Sequence, residues 1–452
     1  MTNRAISVRE VFDTHPFSPY QIWVCFLCFC VTFFDGFDLT VIGVAIPKIA
    51  ETLHSKPAAM GFAMSAGQVG ALIGALCLGM FADRWGRKKM LFIASFIFGI
   101  FTVAVSYIQT VEQLTLFRFI SGLGLGGAVP NALAFGCEYA PSKMRATLTT
   151  IMYAGMAVGS TTAGLSAAYL LPNFGWRLVF LLGGLVPCAI GVIVGIFLPE
   201  SLEFLIRKGK DIMQVRSIIS RIAPEVAGQK DVTFISAEKK LAGAPVKNLF
   251  TEGRAFSTIL LWIAFFASFY LLWLLLSWAP TLLRKSGATV QQFSVAFACI
   301  NIGSLLATIT IGILMDRFSP FKILGTGFLL AFVSVVVFGY FAASPFIVIA
   351  VLSVVMGFFV IGGNSGLMGL ATVSYPTDIR GTGLGWAYAI GKIGSLLAPI
   401  VGGLMLTQNW TVDRICTTNA LAALVVVAVV MVLARFLAST AQVASSKAAV
   451  VK

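Results

Sequence analysis

The feature that most constrains this chain is the recurrence of apolar stretches long enough to cross a lipid bilayer. A membrane-spanning helix needs about 20 mostly apolar residues in a row. Twelve such stretches lie near residues 20–46, 58–82, 90–107, 113–137, 147–170, 177–198, 255–283, 291–314, 321–343, 345–373, 382–406 and 415–438. Only 11% of the residues are charged, against about a quarter in soluble domains. The sequence therefore predicts an all-α membrane protein with twelve transmembrane helices. It excludes an ordinary soluble enzyme, a disordered chain and a disulfide-rich scaffold.

The basic residues between these stretches predict the orientation of the chain. With the N-terminus inside, the inner segments carry 24 of the 32 Lys and Arg residues and the outer segments carry six. An excess of Lys and Arg marks cytoplasmic loops, so we expect both termini and the central polar segment to be cytoplasmic. Residues 1–19 are polar, and we therefore expect the first span itself, rather than a cleavable signal peptide, to direct insertion.

The chain also repeats itself. Asp316 follows Asp83 by 233 residues within similar loops, and Arg380 follows Arg145 by 235 residues. Internal repeats of this size predict two pseudo-symmetric six-helix bundles, an organisation typical of secondary transporters. We expect a cytoplasmic N-terminal segment 1–19, an N-terminal bundle 20–199, a cytoplasmic central loop 200–254, a C-terminal bundle 255–438 and a cytoplasmic tail 439–452.

Four charged residues stand out inside predicted spans, away from the span ends, namely Asp35, Asp38, Arg118 and Lys392. A buried charge in a membrane is costly and is by default a functional hypothesis. Helix geometry places Asp35 roughly 22 Å and Arg118 roughly 21 Å from the inner face. We interpret Asp35 or Asp38 as the proton site, pairing with Arg118 in one state and parting from it in another. The alternative is a static ion pair that holds two helices together.

Lys392 has no acid four residues away on its own helix, so the sequence does not identify its counter-ion. One interpretation is that it binds a substrate carboxylate, with Tyr388 and Ser395 on the same helix face. The alternatives are an ion pair with Asp35 or Asp38, or a side chain that extends to the membrane surface.

Aromatic and amide side chains provide further candidates for the binding site. Phe266, Tyr270, Trp273 and Ser277 recur at helical spacing on the seventh span, and such a stripe can stack on an aromatic ring. It can equally pack in the core or face lipid. Asn364 is polar within its span and either lines the cavity or bonds across helices.

Charged residues of the inner loops are candidates for gates that close the inner side through salt bridges. They are Asp83, Arg84, Arg87, Glu138, Arg145, Asp316, Arg317 and Arg380. We take the two aspartates to be favoured by a helix N-terminus. The alternative for the basic residues is that they only set the orientation of the chain in the membrane.

The motifs resemble those of a known superfamily. Residues 79–89, Arg118 with the glycines of 122–126, and Leu-Pro-Glu-Ser at 198–201 resemble the signatures of the major facilitator superfamily. Asp-Gly-Phe-Asp at 35–38 is similar to the motif of its aromatic acid:proton symporter family. In that family we expect Arg at Lys392; Lys keeps the charge but loses the planar fork.

The resemblance implies a proton-coupled symporter that imports benzoate- or hydroxybenzoate-type acids by alternating access across a bacterial inner membrane. The alternatives are a carrier of another organic anion, such as sialic acid or a dicarboxylate, a drug or anion exporter, and a membrane sensor. We expect no enzymatic activity, no cofactor and no metal, because Walker and zinc-ligand spacings are missing from the sequence. The expected partners are protons, a small carboxylate and lipid, with no nucleic acid, and the chain is expected to be a monomer.

Overall fold

A computed structural model describes residues 4–208, 212–227, 232–235, 246–251, 254–375 and 379–450. Within these ranges the chain is mostly helical, and its long helices follow the apolar stretches of the sequence. The physical reason is that lipid offers no hydrogen-bond partners, so each backbone amide and carbonyl must be satisfied within its own helix. The predicted all-α membrane fold is confirmed.

The first half of the chain forms six helices. They are α1 (Val8–Thr14), α2 (Pro19–Thr52), α3 (Pro57–Trp85), α4 (Arg87–Val105), α5 (Val111–Tyr139) and α6 (Arg145–Phe197). Helix α6 contains a break at Gly175, where φ is 78° and ψ is 171°. Glycine adopts this backbone conformation without the steric cost that other residues meet. The break divides α6 into two crossing segments, so the eleven long apolar helices of the described residues provide the twelve predicted spans.

The central segment and the second half contain the remaining elements. The central helices are α7 (Leu202–Arg207), α8 (Ile212–Ser220) and α9 (Pro224–Ala227). The second half contains α10 (Ala255–Lys285), α11 (Val290–Arg317), α12 (Pro320–Tyr340), α13 (Phe346–Ser374), α14 (Arg380–Thr407) and α15 (Val412–Val450). Two short strands, β1 (Arg4–Ser7) and β2 (Val232–Ile235), pair in parallel with Arg4 opposite Val232.

The chain divides into two compact units. The first comprises Met1–Val41, Ala66–Ala163 and Asn173–Leu241; the second comprises Ile42–Ser65, Gly164–Pro172 and Ala242–Lys452. In the first unit, a buried apolar cluster joins Phe12 of α1, Val24 of α2, Phe135 of α5 and Ile219 of α8. The polar central segment therefore contributes an apolar helix face to the core beneath the spans, rather than acting only as a connection.

Hydrogen bonds between side chains and backbone groups link helices of the second unit. The indole Nε1 of Trp278 on α10 donates a hydrogen bond to the carbonyl of Pro399 on α14 at 3.0 Å. The start of α3 belongs to this unit as well: the Ser65 hydroxyl donates to the carbonyl of Leu396 at 2.7 Å. The Ala58 amide donates to the Thr407 hydroxyl at 3.0 Å. These bonds fix α14, which carries Lys392, against α10 and α3.

Candidate functional site

An ion pair between Asp38 and Arg118 lies buried in the first unit. The Arg118 Nη1 donates to both carboxylate oxygens of Asp38, each at 2.8 Å. The Asp38 residue is 2% exposed and Arg118 is 3% exposed. A charge pair so far from water depends strongly on its geometry, because removing either partner leaves the other buried and uncompensated.

The geometry of the pair leaves hydrogen-bonding capacity unused. A single guanidinium nitrogen makes both bonds, so the two-nitrogen fork that arginine can offer a carboxylate is not formed. The Arg118 Nε is buried and makes no hydrogen bond to the residues that the structure describes. An unsatisfied buried donor costs about 1–3 kcal/mol. The pair is therefore not the tightest arrangement that these two side chains can form.

Small residues make room for the guanidinium. A Cβ on Gly67 of α3 would lie 3.4 Å from the Arg118 Nη2, closer than most side-chain contacts. Ser121 donates its hydroxyl to the Arg118 carbonyl at 3.1 Å, within α5. The sequence reasoning did not include Gly67. Its position in an apolar helix facing Arg118 is visible only once α3 and α5 are packed together.

Asp35 lies one helical turn before Asp38 and is half-buried. Next to it, the carbonyl of Gly36 accepts a hydrogen bond from the Ser160 hydroxyl at 2.9 Å. A Cβ on Gly36 would collide with the backbone of Met156 on α6. The Asp-Gly-Phe-Asp motif thus combines two acids with the glycine that allows α2 and α6 to approach closely.

A cation between two aromatic rings lies in the second unit. The Lys392 Nζ is 5.3 Å from the centre of the Trp273 ring and 5.5 Å from the centre of the Tyr388 ring. Both distances fall within the range of a cation–π interaction. The Phe269 ring packs edge-on against Tyr388 at 5.3 Å. Trp273 lies on α10 and Tyr388 on α14, so the seventh and eleventh spans build this cluster together.

The other candidate binding residues each donate a hydrogen bond to another group of the protein. The Ser395 hydroxyl donates to the Lys392 carbonyl at 2.7 Å, within its own helix. The Tyr270 hydroxyl donates to the Asn419 Oδ1 at 2.6 Å. The Asn364 amide donates to the Ser268 hydroxyl at 3.0 Å. The last two are hydrogen bonds across helices, which the sequence reasoning had considered for Asn364. Asn419 was not among the candidates; it follows Thr417 and Thr418 near the start of its helix, where polar residues are common and do not single it out.

One salt bridge joins two of the gate candidates. The Arg87 Nη1 lies 2.7 Å from the Glu138 Oε1 at the ends of α4 and α5. The other Glu138 oxygen accepts a hydrogen bond from Ser201. Glu200, which was not among the candidates, accepts bonds from the backbone amides of Lys88 at 3.1 Å and Ser201 at 3.0 Å. These hydrogen bonds and the salt bridge link the loop of residues 79–89 to the end of the sixth span in α6.

The remaining gate candidates are only partly described. The side chains of Asp83, Asp316 and Arg380 lie outside the described residues. The backbone places Asp83 in the last turn of α3 and Asp316 in the last turn of α11. Our expectation of helix N-termini for these two acids is therefore wrong. A helix C-terminus disfavours a carboxylate, so the helix dipole does not account for an acid at either position.

A comparison with known families matches the description Major Facilitator Superfamily over residues 28–286 and 261–450. Among characterised relatives, the 4-hydroxybenzoate transporter PcaK of Acinetobacter baylyi is 36% identical, with 91% of this chain and 90% of that protein covered. The Pseudomonas putida gallate transporter is 33% identical over 89% of each chain. The benzoate transport protein of Acinetobacter baylyi is 32% identical over 90% and 88%.

Solved structures agree with the fold. A D-xylose-proton symporter superposes with a TM-score of 0.72 at 17% identity, covering 92% of this chain and 97% of that one. A bacterial homologue of the lysosomal transporter Spinster gives a TM-score of 0.72 at 19% identity, covering 92% and 97%. At these identities the likeness concerns the arrangement of helices alone.

Proposed function

The chain belongs to the major facilitator superfamily, and on that premise we propose that it imports small aromatic carboxylates together with protons. Membership makes it a multi-pass membrane transporter and not an enzyme. The observation that carries the proposal is the buried Asp38–Arg118 pair in a chain whose characterised relatives are carriers of aromatic acids. The proposal includes the bacterial inner membrane, since the characterised relatives are bacterial, and cytoplasmic chain termini, which the distribution of basic residues favours.

The substrate class is supported by relatives and by local chemistry. The relatives are named for 4-hydroxybenzoate, gallate and benzoate, which share one aromatic ring and one carboxylate. Lys392 offers a positive charge next to the rings of Trp273 and Tyr388. A carboxylate can bind the ammonium group while a neighbouring ring stacks on an aromatic side chain. Lys392 is the substrate-binding residue in this proposal, with Trp273 and Tyr388 beside it.

Proton coupling is assigned to the first unit. Burial disfavours the charged form of an acid, whereas a neighbouring guanidinium favours it. In this proposal Asp38 carries the proton while the Arg118 side chain is away from it and gives the proton up when the pair forms again. Alternation between these arrangements couples proton binding to alternating access. Asp35 is the second acid of the motif and is the comparison residue for this assignment.

The inner salt bridges supply the conformational control. Arg87 and Glu138 form a pair that can hold the ends of α4 and α5 together in one state and break in another. For the other gate candidates, Arg84, Arg145, Arg317, Asp83, Asp316 and Arg380, a role in gating stays a prediction from the sequence.

Uptake by proteoliposomes tests this function. Purified protein is reconstituted, an acid exterior is imposed, and entry of labelled 4-hydroxybenzoate is followed with and without an uncoupler. We expect accumulation that the uncoupler abolishes. Excess benzoate and gallate should compete, whereas an aliphatic dicarboxylate and sialic acid should not. Uptake that ignores the pH gradient, or that prefers the aliphatic acids, contradicts the proposal.

A further inference from the structure

The first unit contains a cavity of about 850 Å³ whose lining does not include the Asp38–Arg118 pair. One wall is the turn between α3 and α4, a second is the end of α6, and a third is α8 with the turn that follows it. Tyr20 at the start of α2 also lines it. The cavity is therefore built where the ends of four transmembrane helices, α2, α3, α4 and α6, meet the central segment.

The cavity is strongly basic. Its charged lining residues are the four cations Arg84, Lys88, Lys89 and Arg221 and the single acid Glu200. In the part of the chain that the structure describes, none of the four cations forms a salt bridge. The Glu200 carboxylate is engaged by the backbone amides of Lys88 and Ser201. The site therefore carries an excess of positive charge that calls for an anionic ligand.

Two further features order the polar side of the cavity. The Arg221 guanidinium lies 5.2 Å from the centre of the Tyr20 ring, which holds it over the start of α2. Gln214 and Ser217 precede Arg221 on the exposed side of α8, while Val215 and Ile218 of the same helix are buried. The central segment thus contributes the polar Gln214, Ser217 and Arg221 to the lining, beside the apolar Ile218, Phe204 and Leu205.

The opposite side of the cavity is apolar and exposed. Trp85, Ile196 and Phe197 are 51%, 65% and 56% exposed and line it at the ends of membrane-spanning helices. The Trp85 ring stacks on Phe81 at 4.9 Å between centres. Exposed aromatic rings at a helix end are typical of the level of lipid headgroups. A small soluble anion makes no use of such a rim, whereas acyl chains do.

We propose that this cavity binds the phosphate headgroup of an anionic glycerophospholipid. The phosphate binds to Lys88, Lys89 and Arg84. Arg221 contacts it from the central segment, and the acyl chains lie along Ile196 and Phe197. The proposal rests on the cytoplasmic orientation given above, because anionic lipids concentrate in that leaflet and attract basic residues beside spans. It does not depend on which substrate is carried.

Such a lipid has a structural consequence for the transporter. The α3–α4 turn that lines the cavity also leads into Arg87, whose partner is Glu138. A headgroup held by both this turn and Arg221 ties the central segment to the helix ends that the salt bridge joins.

Quenching of Trp85 fluorescence provides the test. The protein is placed in phosphatidylcholine vesicles containing increasing amounts of phosphatidylglycerol with brominated acyl chains, which quench nearby indoles. Subtracting the signal of Trp85→Phe isolates the contribution of Trp85. We expect its quenching to saturate at a few mole per cent of phosphatidylglycerol. Quenching that merely follows the bulk lipid fraction overturns the proposal.

Charge-neutralised variants assign the binding to the cavity. Lys88→Gln/Lys89→Gln/Arg221→Gln should raise the half-saturating lipid fraction by about tenfold or more, given the usual contribution of each basic residue near a membrane. The control Lys143→Gln/Lys247→Gln/Lys322→Gln removes the same charge elsewhere and should leave the curve unchanged. Equal shifts in both variants indicate general electrostatics and overturn the site.

A soluble competitor separates the two sources of phosphate. Glycerol 3-phosphate should fail to relieve the quenching, because it lacks acyl chains. Relief at low concentration means that the cavity takes a free phosphate and contradicts the lipid assignment. Because fluorescence reports lipid binding and not transport, failure of this proposal is distinguishable from failure of the proposed function. Circular dichroism of each variant verifies that it is folded.

Discussion

Arg118 holds both carboxylate oxygens of Asp38 with one nitrogen, Nη1, at 2.8 Å each, while its Nε is buried without a hydrogen bond among the described residues. This arrangement distinguishes the two acids of the Asp-Gly-Phe-Asp motif. A pair that is charged, buried and incompletely hydrogen-bonded is costly as a purely structural element. It suits a site whose partners separate and rejoin during transport.

Neutralising Asp38 should uncouple transport from the proton gradient. Asp38→Asn removes the carboxylate that binds the proton but keeps the shape of the side chain. We expect accumulation under an acid exterior to be lost, so that internal substrate does not exceed the external concentration, because an uncoupled carrier only equilibrates its substrate. Exchange of internal for external substrate, which needs no net proton movement, should persist in part.

Two variants control the Asp38 experiment. Asp35→Asn tests the second acid of the motif; because the proposal assigns the proton to Asp38, we expect Asp35→Asn to keep more of the accumulation than Asp38→Asn does. Glu10→Gln neutralises an exposed acid outside the spans and should accumulate substrate normally. If Asp35→Asn and Asp38→Asn both accumulate substrate like the unmodified protein while remaining folded, neither acid is the proton site.

Removing the charge of Lys392 should weaken substrate binding. Lys392→Gln keeps a long polar side chain but loses the ammonium group that binds the carboxylate. A charge-assisted hydrogen bond contributes about 1.5–3 kcal/mol, so the dissociation constant for 4-hydroxybenzoate should rise by about tenfold to a hundredfold. Equilibrium binding of labelled substrate to the purified protein measures this directly.

The matched control for Lys392 is Lys285→Gln. Lys285 is a cation of the same unit, and its ammonium group donates to the carbonyl of Trp410 at an exposed helix end. It should bind substrate with unchanged affinity. Unchanged affinity in Lys392→Gln instead would mean that the cation stabilises the Trp273 and Tyr388 rings and takes no part in binding the carboxylate.

A methyl group at Gly36 should destabilise the first unit. The new Cβ of Gly36→Ala would collide with the Met156 backbone and push α2 away from α6. Overpacking of this kind costs about 1–3 kcal/mol, so thermal unfolding should shift to lower temperature. Gly325→Ala is the control, because nothing lies within 4 Å of its added Cβ. Equal unfolding temperatures for both variants would show that α2 and α6 accommodate the added methyl group without cost.

A double-mutant cycle tests the Arg87–Glu138 gate. Arg87→Gln and Glu138→Gln each break the same salt bridge, so we expect both to alter the maximal uptake rate in the same direction. The double variant should be no worse than either single one, with a coupling energy of about 1–2 kcal/mol. Lys48→Gln, which breaks an exposed pair with Glu51, should have little effect. Additive losses would mean that Arg87 and Glu138 act independently.

Much of this fold can be predicted from the sequence, because membrane spans are recognised by the average hydropathy of successive residues and not by their packing. Mean hydropathy identifies the twelve spans, and a charge within a span, such as Asp38, Arg118 or Lys392, stands out from its apolar neighbours. The sequence places Lys392 and Tyr388 on one helix face and Trp273 on a separate stripe, but it does not predict that the two come together.

The rest depends on how helices are rotated and packed, which periodicity does not provide. Asp35 and Asp38 are three residues apart and lie on nearly the same face of α2. Only the packed structure shows that Arg118 pairs with Asp38. The role of Gly67 depends on the approach of α3 to α5. Ile219 lies in a basic segment that reads as a connection, yet it is fully buried beneath the first unit. Short amphipathic helices such as α8 are stabilised by tertiary burial rather than by local propensity.

Proton entry that accompanies substrate entry is the most direct test of the central claim. Proteoliposomes containing a trapped pH-sensitive dye are given 4-hydroxybenzoate from outside, with no pH gradient imposed beforehand. We predict that the interior acidifies in the unmodified protein in proportion to substrate uptake, and that Asp38→Asn exchanges substrate without acidification. Substrate uptake with no change in internal pH, or equal acidification by Asp38→Asn, would contradict the account.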